Sequence, residues 1–154
     1  MRVKGKWAYL YRAVDSTGAT IDFLLSAHRD AAAAKRFFQT ALRTVGHPCP
    51  RVINVDGNPS YPKVVAQLKV EGKLGRRCRC HTCPYLNNVV EQDHRAIKRR
   101  VIASQGFRSF HGAQRTIQGY EVVHMIRKGQ VRWLPKGDVV GLVLFIKEAL
   151  GIED

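Results

Sequence analysis

The sequence predicts an α/β fold that opens with a β-hairpin. Residues 7–26 are rich in β-forming residues on both sides of a turn, residues 51–55 form a short apolar run that ends in an acid, and several later stretches repeat apolar residues at helical spacing. The chain has 154 residues, of which 45% are hydrophobic and 25% charged. These are the proportions of one globular domain, and they exclude a disordered or fibrous chain.

The opening hairpin and the helix after it follow from turn and capping residues. Residues 15–18, Asp-Ser-Thr-Gly, supply the hairpin turn, and Asp30 can cap a following helix. Apolar residues continue at helical spacing to Val45, and Gly46 should end that helix.

A strand beyond the hairpin and a second helix are predicted in the middle of the chain. Residues 51–55 indicate a buried strand, and the Asp-Gly-Asn-Pro sequence of residues 56–59 is typical of a ligand-facing loop. Residues 62–71 predict a helix with a proline at its start and a glycine after its end. Residues 73–83 are basic and rich in cysteine, and they are compatible with an edge strand.

Three helices are predicted in the second half, over residues 89–104, 109–128 and 137–150. The last of them is apolar on nearly every side, so we expect it to pack against another element. Trp7 and Trp133 are most simply interpreted as core or lid residues, because their rings are large and apolar.

The charge balance indicates a polyanionic partner. Lysine and arginine number 26 against 12 acids, a formal net charge of +14. Nucleic acid is the leading partner and an anionic membrane surface the second, but no apolar run approaches the roughly 20 residues of a membrane span. The segment from residue 73 to residue 100 is interpreted as a DNA-tracking patch, the alternative being a solvated helix face. Its basic residues are Lys73, Arg76, Arg77, Arg79, Arg95, Lys98, Arg99 and Arg100.

Two carboxylates form a candidate magnesium site. Asp56 ends the middle strand, and Glu91 lies in the first turn of the long helix, with 34 residues between the two. A strand-end Asp and a helical Glu can jointly hold Mg²⁺, which prefers oxygen ligands. Arg95 and Lys98 share the helix face of Glu91, where they could hold a DNA phosphate. Taken singly, Asp56 could instead form a turn, and Glu91 could simply complement the helix dipole.

Six stretches carry a resemblance to a known family. The most specific is residues 85–100, with the sequence Tyr-Leu-Asn-Asn-Val-Val-Glu-Gln-Asp-His-Arg-Ala-Ile-Lys-Arg-Arg. A second stretch is residues 52–61, with the sequence Val-Ile-Asn-Val-Asp-Gly-Asn-Pro-Ser-Tyr. The others are residues 9–15, 21–26, 106–110 and 124–130. Together they resemble the DDE transposases of bacterial insertion sequences, specifically the insertion-sequence-six family.

The resemblance implies a ribonuclease H-like, retroviral-integrase-like fold that lacks its first strand and carries C-terminal helices. Residues 1–130 would be a partial catalytic domain, and residues 131–154 a helical extension of it. The activity implied is DNA cleavage and strand transfer with two Mg²⁺ ions. The partners implied are insertion-sequence ends and target DNA, bound by a homo-oligomer in the bacterial cytoplasm, with no membrane involved.

The resemblance also assigns roles to residues. Asp56 would be the second acid of the catalytic triad and Glu91 the third, both as metal ligands, with Lys98 as the basic residue two turns later. The DNA-binding residues expected around the site are Arg95, Lys98, Arg99 and Arg100.

The first acid of the triad is not assigned within this chain. Asp15 ends a strand, but it matches the hairpin turn of the family, where a turn role is expected. The family places its first acid on an earlier strand, so we expect this chain to begin after that acid and to be catalytically impaired. The alternative is a non-catalytic, basic DNA-binding fragment or one that inhibits intact transposase.

The cysteines allow one further hypothesis. Cys78, Cys80, His81 and Cys83 are the right residue types for a zinc site, although their spacing is poor for one. Reduced thiols in a cytoplasmic protein are the simpler interpretation.

Overall fold

The computed structural model of the chain describes residues 1–44, 46–83, 88–103 and 106–151, with residues 88–94, 96 and 150 described by their backbone alone. The elements are β1 (Arg2–Val3), β2 (Lys6–Trp7), β3 (Tyr9–Val14), β4 (Thr20–Ser26), α1 (Ala31–Ala41), β5 (Val52–Val55), α2 (Ser60–Val70), β6 (Arg79–Thr82), α3 (Asn88–Ala103), α4 (Phe110–Arg127) and α5 (Val139–Leu150). Across these residues the fold is mixed α/β, with three two-stranded sheets and five helices.

The predicted hairpin is confirmed as the antiparallel pair of β3 and β4. Tyr9 lies opposite Ser26 at one end and Val14 opposite Thr20 at the other, with one irregularity near the turn. A smaller hairpin of β1 and β2 precedes it and was not predicted. Trp7 on β2 is 59% exposed, so the expectation that it is a core residue is wrong. Its ring instead lies under the guanidinium of Arg2, 5.3 Å away.

The basic, cysteine-rich segment does contain a strand. β6 pairs in parallel with β5, from Val52 opposite Arg79 to Val55 opposite Thr82. Helix α2 connects the two strands, as parallel pairing requires. The carboxyl end of β5, where Asp56 follows, is its buried end: Val55 is 6% exposed, whereas Val52 is 46% exposed, so the expectation that the whole strand is buried is wrong.

The helix ends differ slightly from the predicted ones. Asp30 caps α1 as predicted, since its Oδ1 accepts a hydrogen bond of 2.8 Å from the Ala33 amide. The helix ends at Ala41, however, before the predicted end at Val45, which lies outside the described residues. Helix α2 begins at Ser60, two residues earlier than predicted, because the turn at Asp56 leads directly into it.

Two apolar clusters hold the elements together. One packs β3, α1, β5 and α2 around Phe37, Val55 and Leu68. The other joins the start of the chain and Leu25 of β4 to helices α3 and α4; its buried members are Val3, Ala8, Leu25, Ile97, Val101, Ala113 and Ile117. The candidate site stands over the first cluster, and the basic helix α3 packs on the second.

A buried ion pair also fixes α4 against the hairpin. The Arg12 guanidinium on β3 and the Glu121 carboxylate on α4 lie 2.7 Å apart, and both side chains are fully buried. Breaking such a pair by removing one partner leaves a buried charge, which is strongly destabilising.

Helix α5 does not bury its apolar surface as expected. Its residues Val139, Val140, Val143 and Leu144 are 69%, 71%, 48% and 60% exposed, and Trp133 before it is 74% exposed. Because α5 is apolar on nearly every side, packing on one side leaves its remaining apolar side chains exposed to solvent. Among the described helices, none is long and apolar enough to cross a membrane.

Candidate functional site

Asp56 is the first residue of the turn that leads into helix α2. It follows Val55, the buried last residue of β5. Its Oδ1 accepts a hydrogen bond of 2.9 Å from the Asn58 amide, and the Asn58 side chain in turn accepts one of 3.0 Å from the Ser60 amide. The turn-forming role is therefore present, and it uses one of the two carboxylate oxygens.

The second carboxylate oxygen of Asp56 lies near the guanidinium of Arg29, beside an open cavity. The cavity has a volume of about 500 Å³ and is lined by Arg29, Asp56, Gly57, Asn58 and Pro59. The Nη2 atom of Arg29 lies 3.5 Å from Asp56 Oδ2, and the side chains of Arg29 and Asp56 are 51% and 41% exposed. This ion pair is long and solvated, so it leaves Asp56 accessible to a ligand.

An aromatic cluster forms the support beneath Asp56. The ring of Tyr61 meets Tyr11 and Phe38 edge-on, at centroid distances of 6.4 and 5.9 Å. Burial and the nearby Asp56 carboxylate both raise the pKa of Tyr61, so this phenol stays neutral. The cluster packs β3, α1 and α2 together next to the Asp56 turn.

Glu91 is placed by its backbone alone. It lies in the first turn of α3, as predicted, while its side chain is outside the described residues, as is Asn87, the predicted cap. Ile97 and Val101 anchor α3 in the second apolar cluster. The pairing of Glu91 with Asp56 therefore stays a prediction.

The predicted DNA-binding residues on α3 divide into two groups. Arg95, Lys98 and Arg99 are exposed. Arg100 is half-buried, and its guanidinium lies over the ring of Tyr120 on α4 at 5.5 Å. Three of the four side chains are thus presented to solvent, and the fourth also packs two helices together.

Asp15 has the turn role expected of it. Its Oδ1 accepts hydrogen bonds from the Thr17 amide, the Thr17 hydroxyl and the Ala19 amide, at 2.8, 2.7 and 2.9 Å. Burial raises the pKa of Asp15, but these hydrogen bonds outweigh it and hold the pKa below its ordinary value. One carboxylate oxygen is thus committed to the turn.

The described side chains do not bring together Cys78, Cys80, His81 and Cys83, the residues of the alternative zinc hypothesis. Among the described side chains, no three His, Cys, Asp or Glu residues group as a metal site. Along β6, Cys80 packs against the first apolar cluster, whereas His81 is exposed. Alternation along a strand turns these neighbours to opposite faces. All four cysteines of the chain are free thiols, and burial raises the pKa of Cys78 and Cys80.

Arg29 is the site residue that sequence reasoning missed. It directly precedes the helix cap Asp30 and lies 27 positions before Asp56. No periodicity or motif relates the two positions, and they meet only because α1 and the β5 strand end share one side of the fold. Its one sequence signal is that a basic residue stands at the start of a helix.

Comparisons with known proteins place most of the chain in one family. Residues 1–130 match the DDE domain of IS240-type transposases. The chain is 37% identical over 134 residues to the Staphylococcus aureus transposases for insertion sequence-like element IS431mec and for insertion sequence element IS257 in transposon Tn4003. The matched segment is 87% of this chain and 57% of each relative, so the chain spans little more than half their length.

A further relative matches a shorter part of the chain. An uncharacterized protein of Yersinia pseudotuberculosis is 39% identical over 80 residues, which is 51% of this chain and 75% of that protein. No solved structure matches the chain.

Proposed function

Because the chain belongs to the DDE transposases of the IS240/IS6 family, we propose that it is part of an enzyme that cleaves DNA and transfers the cut strand to a new site. The observation that carries this proposal is the Asp56 carboxylate. It stands 41% exposed directly after Val55, the buried end of β5, close to an aromatic cluster, and it borders an open cavity. We further propose a ribonuclease H-like arrangement, with Asp56 as the second acid of the triad and Glu91 as the third.

The residues present suit a hard divalent cation. Asp56 Oδ2 is an accessible oxygen donor, and the amide of Asn58 orients the carboxylate by holding Oδ1. Asp56 and Glu91 would hold Mg²⁺, and the bound ions would stabilise charge on the attacking and leaving oxygens of phosphoryl transfer. No protein nucleophile is needed, since water and then a DNA 3′-hydroxyl attack the phosphorus directly.

The remaining residues of the site bind and position DNA. The exposed side chains of Arg95, Lys98 and Arg99 would neutralise backbone phosphates along α3. Arg100, which stacks on Tyr120, would contribute one guanidinium edge from the same helix. We propose that the protein works as a homo-oligomer on insertion-sequence ends and target DNA in the bacterial cytoplasm.

We propose that this stretch of chain is catalytically impaired by itself. The acid nearest to completing a triad by sequence pattern, Asp15, is committed to its own turn. The expected result is that nicking of supercoiled plasmid in Mn²⁺ does not exceed that of the Asp56→Ala variant. Nicking that depends on Asp56 would contradict impairment while supporting the proposed activity.

Metal binding tests the site directly. Electron paramagnetic resonance of Mn²⁺ counts the unbound ion during a titration with protein. We expect Asp56→Asn and Glu91→Gln each to weaken Mn²⁺ binding by about tenfold or more, because each removes one charged ligand. Asp15→Asn is the matched control and should bind as the unmodified chain does. Unchanged binding in both site variants would overturn the assignment of Asp56 and Glu91.

A second candidate function, DNA binding without chemistry, is favoured by the exposed basic side chains of α3. Such a fragment could act by inhibiting intact transposase. Its DNA affinity should fall steeply with salt and should survive loss of Asp56 and Glu91. Fluorescence anisotropy of a labelled duplex at several salt concentrations measures both properties, and dependence on the two acids would exclude this function.

A further inference from the structure

Arg29 and Asp56 form a long, solvent-exposed ion pair that a ligand could separate at little energetic cost. Their closest atoms are 3.5 Å apart, and about half of each side chain is exposed. Exposed pairs of this kind contribute roughly 0–1 kcal/mol, so separating them costs little. They are also the two charged residues among those lining the cavity at the end of β5.

The backbone around Arg29 is fixed although its side chain is not. The next residue, Asp30, caps α1 through the Ala33 amide at 2.8 Å. The preceding residue, His28, accepts a 3.5 Å hydrogen bond from the Tyr11 hydroxyl through its carbonyl oxygen. The backbone of Arg29 is therefore held at the edge of the cavity. The guanidinium can exchange one partner for another by rotation of the side chain alone.

The two possible partners of Arg29 compete through charge. A divalent cation held by Asp56 would repel the guanidinium and take over the carboxylate oxygen that it faces. A phosphodiester in the same cavity would offer two non-bridging oxygens that share one negative charge, and both can pair with the planar fork of Arg, whereas Asp56 presents only Oδ2 to Arg29, at 3.5 Å.

We infer that Arg29 is a phosphate-binding residue of the Asp56 site, which exchanges Asp56 for a DNA phosphodiester oxygen when a divalent cation occupies Asp56. This inference rests on the proposed function. It adds a substrate contact that comes from the β4–α1 connection rather than from the basic helix α3.

The test compares Arg29→Gln with a matched variant, Arg36→Gln, which removes the same charge from an exposed position of α1. DNA affinity is measured by anisotropy of a labelled duplex, once with Mn²⁺ and once with chelator. We expect Arg29→Gln to weaken binding about tenfold more than Arg36→Gln in Mn²⁺, and equally in chelator. Arg29→Lys should recover part of the loss, since it keeps the charge but not the fork.

Mn²⁺ binding without DNA provides the second measurement. Loss of the competing cation in Arg29→Gln should tighten Mn²⁺ binding several-fold, whereas Arg36→Gln should leave it unchanged. Identical behaviour of the two variants in both measurements would overturn the inference. So would a DNA defect of Arg29→Gln that is equal with Mn²⁺ and with chelator, since the exchange would then not occur.

The outcomes also separate this inference from the proposed function. If Mn²⁺ binds through Asp56 and Arg29→Gln matches its control, only the role of Arg29 fails. If Asp56→Asn leaves Mn²⁺ binding intact, the metal site fails, and the exchange at Arg29 fails with it.

Discussion

Asp15 and Asp56 both end a strand and begin a turn, yet the structure uses them differently. Asp15 Oδ1 accepts three hydrogen bonds within its turn, whereas Asp56 Oδ1 accepts one backbone hydrogen bond. Asp56 Oδ2 lies 3.5 Å from the solvated guanidinium of Arg29, beside an open cavity. Of these two strand-end acids, Asp15 accepts more hydrogen bonds from its own turn, whereas Asp56 borders an open cavity.

The surroundings of the two turns extend this contrast. The Asp15 turn is tied to the end of α4, where Lys128 donates a hydrogen bond to the Gly18 carbonyl and Gln130 makes two with the Thr20 backbone. The Asp56 turn leads into α2, and its open side faces solvent. The first turn should therefore matter for stability and the second for ligand binding, and four substitutions test that difference.

The largest effect is expected at the ion pair behind the Asp15 hairpin. Glu121→Ala leaves the fully buried Arg12 guanidinium without its carboxylate, so we expect a loss of about 3–5 kcal/mol in the free energy of unfolding. Urea denaturation followed by circular dichroism measures it. The double variant Arg12→Met with Glu121→Leu removes both charges and should recover most of the loss. A cost below about 1 kcal/mol for Glu121→Ala would show that the pair does not fix the hairpin.

The next effect is expected where α4 meets the hairpin turn. Gln130→Ala removes two hydrogen bonds of 3.0 Å to the backbone of Thr20, a residue that is 2% exposed. The expected cost is about 1–2 kcal/mol in the same denaturation experiment. Gln118→Ala, at an exposed position of α4, is the matched control and should be within about 0.5 kcal/mol of the unmodified chain. Equal costs would mean that the turn is not anchored there.

Asp15 should make stability depend on pH. Its pKa in the fold is lowered, so its ionised form stabilises the fold above the ordinary value of 3.8, and this contribution is lost as the pH falls through the lowered pKa. Asp15→Asn should therefore cost about 1 kcal/mol near neutral pH and progressively less as the pH falls below 3.8. Urea midpoints across this range measure it, and a cost that does not change with pH would contradict the lowered pKa.

Much of this contrast could be anticipated from local sequence. The Asp-Ser-Thr-Gly turn, the Asp30 cap and the Asp56 strand end were predicted, because turn and capping chemistry acts within a few residues. The Arg29 contact could not be, since it joins residues 27 positions apart through the packing of α1 on the strands.

Burial was the harder property to anticipate. Trp7 and the valines of α5 are exposed because nothing in the described chain covers them, and residue type alone does not report a missing neighbour. Conversely, charged Arg12 and Glu121 are buried because they meet across 109 positions of sequence.

The smallest stability effect is expected at Asp56 itself, and its smallness is informative. Asp56→Asn keeps an oxygen that can accept from the Asn58 amide and loses only a weak contact with Arg29, so we expect a change within about 0.5 kcal/mol. The same substitution should strongly weaken Mn²⁺ binding, as Asp15→Asn should not. Asp56→Ala also removes the turn acceptor and serves as the comparison, with a cost of about 1 kcal/mol. If Asp56→Asn destabilised the chain as much as Asp15→Asn at neutral pH, Asp56 would be a second structural turn residue, and the cavity beside it would lose its claim to be the site.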